Sequence, residues 1–334
     1  MGAKVVTLIG LAMKRAEEIL SKEGIQVVFA PLVTEGDIVQ HAGDADAVIV
    51  GPTEPYGAKA IQGMKKCKII SRYGIGINNI DVEEATRQGI PVAYVPDASM
   101  HEVSDYAMAC LLAMSRRLFP LVQAVRAGAW QPASETMQKA RGQIFRLNEQ
   151  VLGLVGMGRI GGLVAQKARA FGMKVLVYDP YLSAENAKKI GVELVDLDRV
   201  LKESDYISLH APLTPETQKM FGVEAFKKMK PTAYLINAAR GGLIDEKALH
   251  QAVSEGWIAG AALDVTDPEP PKPDSPLLTL DQILLTGHSS WFSDASTREL
   301  QERAAQAVIL ALEGKWPSTL ANPQVRNQEN RRIR

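Results

Sequence analysis

The sequence predicts an α/β protein of two doubly wound parallel-sheet domains with a cleft between them, the first flavodoxin-like and the second Rossmann-like. Three observations point to this class. Strand-like and helix-like stretches alternate from end to end, as a parallel sheet with crossover helices requires. At 334 residues the chain is long for a single compact core and suits two domains. A glycine fingerprint opens the second round of alternation and is missing from the first.

In the first round, apolar runs predict strands at 4–9, 26–29, 47–50, 68–71 and 91–94, with amphipathic helices such as 14–21 and 82–88 between them. Residues 103–118 contain neither Gly nor Pro and read as one long helix. Asp105 would stand in its first turn and Arg116 and Arg117 in its last, charges that suit the helix dipole. The stretch 131–147 is polar and broken by Pro132 and Gly142, so it reads as a surface connection. Strands of the second round are predicted at 151–155, 174–178, 206–209, 233–236, 261–264 and 282–285, followed by a long helix from Ala295 to about Leu312. The domains would then be 1–101 with 294–334, and 102–293, the chain crossing between them near 97–103 and 293–298.

Composition narrows the function. Thirty-eight basic residues balance 38 acidic ones, so no global field would draw nucleic acid or an acidic membrane to the chain. The basic stretch 326–334 also holds Asn327, Gln328, Glu329 and Asn330 and reads as a frayed, solvated terminus. Cys67 and Cys110 are too few for a disulfide framework or a metal cluster and read as small core residues. No leader-like signal opens the chain, and no apolar run approaches the roughly 20 residues of a membrane span. A cytoplasmic protein that needs no metal is the expectation.

The fingerprint is Gly156-Met157-Gly158-Arg159-Ile160-Gly161, directly after the apolar strand 151–155. Gly156 permits the tight turn, Gly158 leaves room for a pyrophosphate, and Gly161 lets helix and strand pack closely. The helix start would offer the N–H groups of Arg159 and Ile160 to that anion. Asp179, where the second strand ends, would accept the adenosine ribose hydroxyls and repel a 2′-phosphate, which favours NAD over NADP.

Beside a nicotinamide, a 2-oxo acid needs a cation for its carboxylate and carbonyl, an acid for the new alkoxide, and a group that keeps the acid charged. Arg240, Glu269 and His288 follow three separate predicted strands of the second domain, where open α/β sheets bind ligands. By residue type alone each also reads as an ordinary loop side chain.

The run from about Lys68 to Ala307 resembles the D-isomer-specific 2-hydroxyacid dehydrogenase family. The likeness is carried by Arg72-Tyr73-Gly74-Ile75-Gly76-Ile77-Asn78-Asn79-Ile80-Asp81, the glycine fingerprint, Leu209-His210-Ala211-Pro212-Leu213-Thr214-Pro215-Glu216-Thr217, residues 237–245, Gly260-Ala261-Ala262-Leu263-Asp264-Val265 and the His288 loop. Tyr178-Asp179-Pro180-Tyr181-Leu182-Ser183 and His288-Ser289-Ser290-Trp291-Phe292-Ser293 resemble its C-terminal-binding-protein-like branch. The resemblance implies that Arg240 binds the substrate carboxylate and carbonyl, that His288 donates the proton on reduction, and that Glu269 pairs with His288 and favours its charged form. It implies that Asp264 holds the nicotinamide carboxamide, with Pro212 and Ala238 beside the cofactor. It further implies that Arg72, Tyr73, Gly74, Ile75 and Gly76 cradle the substrate carboxylate, that Trp291 touches the substrate side chain, and that the cofactor domains form a homodimer.

The chain departs from the family at Gly287, where Pro is usual, and at Asp105-Tyr106, where Glu-His is commoner. A formate dehydrogenase would carry Gln in place of Glu269, and a phosphite dehydrogenase a Lys in the 72–80 loop. Two alternatives remain: a 3-phosphoglycerate dehydrogenase, and an NAD(H)-sensing interaction protein like the C-terminal-binding corepressors, which keep the same three residues.

Overall fold

The computed structural model describes residues 2–10 and 13–333. The chain divides into two compact units, Met1–Ala98 with Ser293–Arg334 and Ser99–Phe292.

The first unit is built from β1 (Lys4–Leu8), α1 (Lys14–Lys22), β2 (Gln26–Ala30), α2 (Glu35–Ala42), β3 (Ala47–Val50), α3 (Ala58–Gly63), β4 (Ile70–Arg72), α4 (Val82–Arg87) and β5 (Val92–Ala93). The sheet is parallel, in the order β2-β1-β3-β4-β5. All four residues of β3 are buried, as expected of a central strand covered by helices on both faces. Val6, Val48, Val50, Ile70, Leu32, Ile38 and Ile61 form one core.

The second unit follows with α5 (Met100–Ser115), α6 (Leu118–Arg126), α7 (Glu135–Arg141), β6 (Val151–Val155), α8 (Arg159–Ala170), β7 (Lys174–Tyr178), α9 (Ala184–Ile190), β8 (Glu193–Leu194), α10 (Leu197–Glu203), β9 (Tyr206–Leu209), α11 (Val223–Lys228), β10 (Tyr234–Asn237), α12 (Glu246–Ser254), β11 (Gly260–Leu263) and β12 (Ile283–Leu285). Its sheet runs β12-β11-β10-β9-β6-β7-β8. The order reverses between β6 and β9, the topological switch point at which doubly wound sheets bind nucleotides. Register carries Asn237 opposite Leu263 and Leu263 opposite Leu285, so the loops after β10, β11 and β12 leave the sheet side by side. The last helix, α13 (Asp294–Leu312), belongs to the first unit, where Ser71 Oγ donates to the carbonyl of Ala304 at 3.0 Å.

Three readings of the sequence need correction. The helix placed at 103–118 starts at Met100, so Glu102 rather than Asp105 is its first-turn acid, and it stops at Ser115. Arg117 takes a left-handed φ of 50°, turns the chain into α6, and donates through Nε to the carbonyl of Ala140 at 2.8 Å. The connection at 131–147 contains helix α7: Ser134 caps its start, Gly142 closes its end, and Met137 and Ala140 bury against Ala124. Pro132 and Gly142 flank that helix rather than preclude one.

The basic tail is not frayed. Arg332 donates to the carbonyls of Met64, Lys65 and Gln88 at 2.9, 2.6 and 3.1 Å, and Ile333 is buried. Arg334 lies outside the described residues. Both cysteines are buried free thiols, and burial pushes the Cys67 thiol up to about 12. Among the described residues no single helix is long and apolar enough to cross a membrane.

Candidate active site

The glycine turn lies at the switch point. Gly156 has φ +96°, and a Cβ there would lie 2.7 Å from the carbonyl carbon of His210, in the segment after the neighbouring strand β9. At Gly161 a Cβ would lie 2.4 Å from the carbonyl oxygen of Gly156, so helix and turn touch there. A Cβ on Gly158 would meet nothing within 4 Å, and α8 begins with no side-chain cap. The open space over Gly158 leaves the start of α8, with the amides of Arg159 and Ile160, able to receive an anion. Asp179 braces the turn from the end of β7: Oδ2 accepts the Met157 amide at 2.7 Å and Oδ1 the Tyr181 amide at 2.8 Å. Each oxygen keeps a lone pair for a hydroxyl donor. Pro212, after β9, accepts the Thr217 hydroxyl at its carbonyl at 2.7 Å.

His210 follows β9 in the chain. It lies beneath the turn with Nε2 2.9 Å from Ser208 Oγ, and burial depresses its pKa to about 4. Between pH 6.5 and about 4 the unfolded chain therefore binds a proton that the folded chain refuses, so stability falls as pH falls through that window and levels below it. His210 keeps some exposed surface, which makes about 3 kcal/mol an upper bound on the loss. Urea unfolding at pH 7 and pH 4.5 should show this loss, and His210→Gln should reduce it.

The second cluster forms where β10, β11 and β12 end. Asn237 is buried and ties the turn that carries Ala238 and Arg240: its amide donates to the carbonyl of Arg240 at 2.9 Å, and its oxygen accepts the Ala239 amide at 3.0 Å. Gly241 follows because a Cβ there would lie 2.1 Å from the backbone of Thr266, in the segment that leads to Glu269. That close approach brings Arg240 within electrostatic reach of Glu269, while burial lowers the guanidinium from its ordinary value. The Glu269 carboxylate hydrogen-bonds Nδ1 of His288. His288 has a left-handed φ of 49°. Its amide donates to the Asp264 carbonyl at 2.8 Å, and its own carbonyl accepts the Trp291 indole N–H at 2.8 Å. Arg240, Glu269 and His288 are therefore gathered at one sheet edge from positions 48 residues apart at the extremes.

The candidate substrate loop belongs to the first unit. Arg72, 6% exposed, donates to the carbonyls of Val50, Tyr73 and Gly76 and so holds the shape of its own loop. Tyr73 is buried, and Gly74, Ile75 and Gly76 are partly exposed. Sequence reasoning had no means of finding the bracing role of Arg72, or those of Asn237 and Trp291, since each is a contact with backbone.

Comparison with known proteins decides the family. The model for "D-isomer specific 2-hydroxyacid dehydrogenase, NAD binding domain" matches residues 108–290, more than half of the chain. The chain belongs to this family. The dehydrogenase is 40% identical over 288 residues to a glyoxylate reductase of Korarchaeum cryptofilum, covering 86% of each chain. It is 40% identical over 312 residues to a D-3-phosphoglycerate dehydrogenase of Methanocaldococcus jannaschii, covering 92% of this chain and 57% of that one. A solved structure of D-lactate dehydrogenase from Aquifex aeolicus, complexed with NAD and lactic acid, superposes with a TM-score of 0.83 at 28% identity, covering 95% and 98% of the two chains. NAD is accordingly the cofactor, and the open space over Gly158 with the uncapped start of α8 fits its pyrophosphate.

Proposed function

We propose that this dehydrogenase reduces glyoxylate, hydroxypyruvate or a related small 2-oxo acid to the D-2-hydroxy acid, with Arg240, Glu269 and His288 as its catalytic residues. The observation that carries the reading is the Glu269 carboxylate on Nδ1 of His288, with the Arg240 guanidinium in electrostatic reach. Bound NADH supplies the hydride. Because Nδ1 faces Glu269, Nε2 is the nitrogen left to give a proton to the alkoxide. Glu269 fixes the ring's orientation, and Arg240 holds the carboxylate and polarises the carbonyl. Asp264 holds the carboxamide of the nicotinamide, Pro212 and Ala238 line its approach, and Asp179 takes the ribose hydroxyls. Trp291 limits the substrate side chain.

The test follows NADH oxidation with glyoxylate, hydroxypyruvate, 4-methylthio-2-oxobutyrate and 3-phosphohydroxypyruvate. Turnover of a small unphosphorylated acid is the expected result. Preference for the phosphorylated acid would assign the chain to the phosphoglycerate enzymes, and tight NADH binding without any turnover would mark a sensor.

In the same reading the protein is a homodimer through its cofactor unit, in the reducing cytoplasm, where buried free thiols persist. Leu118, Phe119, Val122 and Val125 are 49, 49, 47 and 40% exposed along α6, and Trp130 beyond it is 75% exposed. An apolar patch of this kind needs a cover. Phe119→Asp with Val122→Asp should halve the mass measured by light scattering. A monomeric wild type, or an unchanged dimer in the variant, would refute this interface.

A further inference from the structure

We propose that Tyr106 is a positioning residue for the acid–base histidine, acting through a hydrogen-bonded chain from Tyr106 to Thr286 to Asp264 that fixes the loop carrying His288. The proposal rests on the assignment of His288 made above.

Asp264, 3% exposed after β11, organises this loop with both its backbone and its side chain. Its carbonyl accepts the amide of His288 at 2.8 Å. Its Oδ1 accepts the amide of Ser289 at 2.9 Å and its Oδ2 that of Ser290 at 3.0 Å. Three consecutive N–H groups thus converge on one residue, and the first belongs to a histidine at φ 49°, a conformation that a non-glycine residue adopts only when its surroundings impose it.

The direction of the chain follows from proton counting. The Thr286 hydroxyl lies 2.7 Å from Asp264 Oδ1, and an ionised carboxylate only accepts, so the single hydroxyl hydrogen of Thr286 points at Asp264. The Thr286 oxygen must then accept from Tyr106, whose hydroxyl lies 2.6 Å away. Burial pushes the Tyr106 phenol up from its ordinary value, which keeps it a donor. Tyr106 comes from α5, 180 residues before Thr286, and anchors the catalytic loop to a helix packed across the sheet. Removing its hydroxyl leaves the Thr286 oxygen without its donor and frees the Thr286 hydroxyl to turn from Asp264, which loosens the Ser289 and Ser290 amides that follow the histidine.

Two measurements on the full chain test this. In Tyr106→Phe, kcat should fall about tenfold, the size of one lost buried hydrogen bond, with the KM for the 2-oxo acid within about twofold of wild type. Amide exchange across 287–291 should quicken about tenfold while 156–161 is unchanged. Thr286→Val should act alike from the other end of the chain, should add little to Tyr106→Phe, and Thr286→Ser should restore wild-type behaviour. Unchanged exchange in Tyr106→Phe and Thr286→Val overturns the proposal, and so does faster exchange with wild-type kcat. Equal damage to kcat, KM and exchange at 156–161 would show a merely structural role and also overturn it. Exchange is read without turnover. Should wild type reduce no oxo acid, the catalytic assignment fails, and with it the positioning role, while exchange still reports whether the hydrogen-bonded chain exists.

Discussion

Replacing His288 with Gln is expected to lower kcat for 2-oxo acid reduction by about 10²- to 10⁴-fold, the range of a lost general acid, while NADH binding stays within about twofold. The separation of effects follows from geometry. In the proposed reading the pyrophosphate takes the turn after β6 and the first amides of α8, whereas His288 stands at the end of β12 and meets Glu269 through Nδ1. Gln preserves a polar side chain of similar reach, so a loss confined to kcat reports the missing proton. Arg240→Lys should fail as well, because an ammonium cannot present two parallel donors to a carboxylate. Steady-state kinetics with fluorescence titration of NADH checks both, and a His288→Gln enzyme with more than about a tenth of wild-type kcat would remove the histidine from the mechanism.

The second large effect is on stability. Arg332→Ala is expected to destabilise the first unit by about 3 kcal/mol, lowering its Tm by about 6–12 °C. The guanidinium reaches the carbonyl of Met64, the C-cap of α3, and that of Gln88, the C-cap of α4, together with those of Lys65 and Cys67. A cation at two helix C-termini meets their partial negative charge and satisfies carbonyls that the helices leave open. Truncation removes the guanidinium donors from those carbonyls, and the backbone amide of residue 332 on Gly89 is left as the nearby tie. Arg331→Ala serves as the control: Arg331 is exposed, its guanidinium donates to the nearby Gln328 carbonyl, and its loss should change stability by no more than about 0.5 kcal/mol. Thermal unfolding of the two variants side by side reads the difference.

The strands were legible because buried parallel strands are short apolar runs, and 47–50, 151–155, 174–178 and 206–209 were placed to the residue. The glycine turn was legible because its conformational demands admit little but glycine. What escaped has a common cause. Arg117 ends α5 by adopting a left-handed conformation that no local pattern announces. The tail docks because Arg332 finds carbonyls more than 240 residues earlier. The edge strand beside β7, the two-residue β8, is too short to leave a periodic signature. At the candidate site the charged residues could be named from motifs, whereas Asn237, Thr286 and Tyr106 act through hydrogen bonds that exist only once distant strands are neighbours.

The most direct test of the central claim is a crystal structure of the enzyme with NAD and a 2-hydroxy acid product. The arrangement described here expects the carboxylate on the Arg240 guanidinium and the hydroxyl within hydrogen-bond distance of His288 Nε2, with Nδ1 still on Glu269. A product bound away from Arg240, or a His288 ring whose Nε2 faces Glu269 instead, would contradict it.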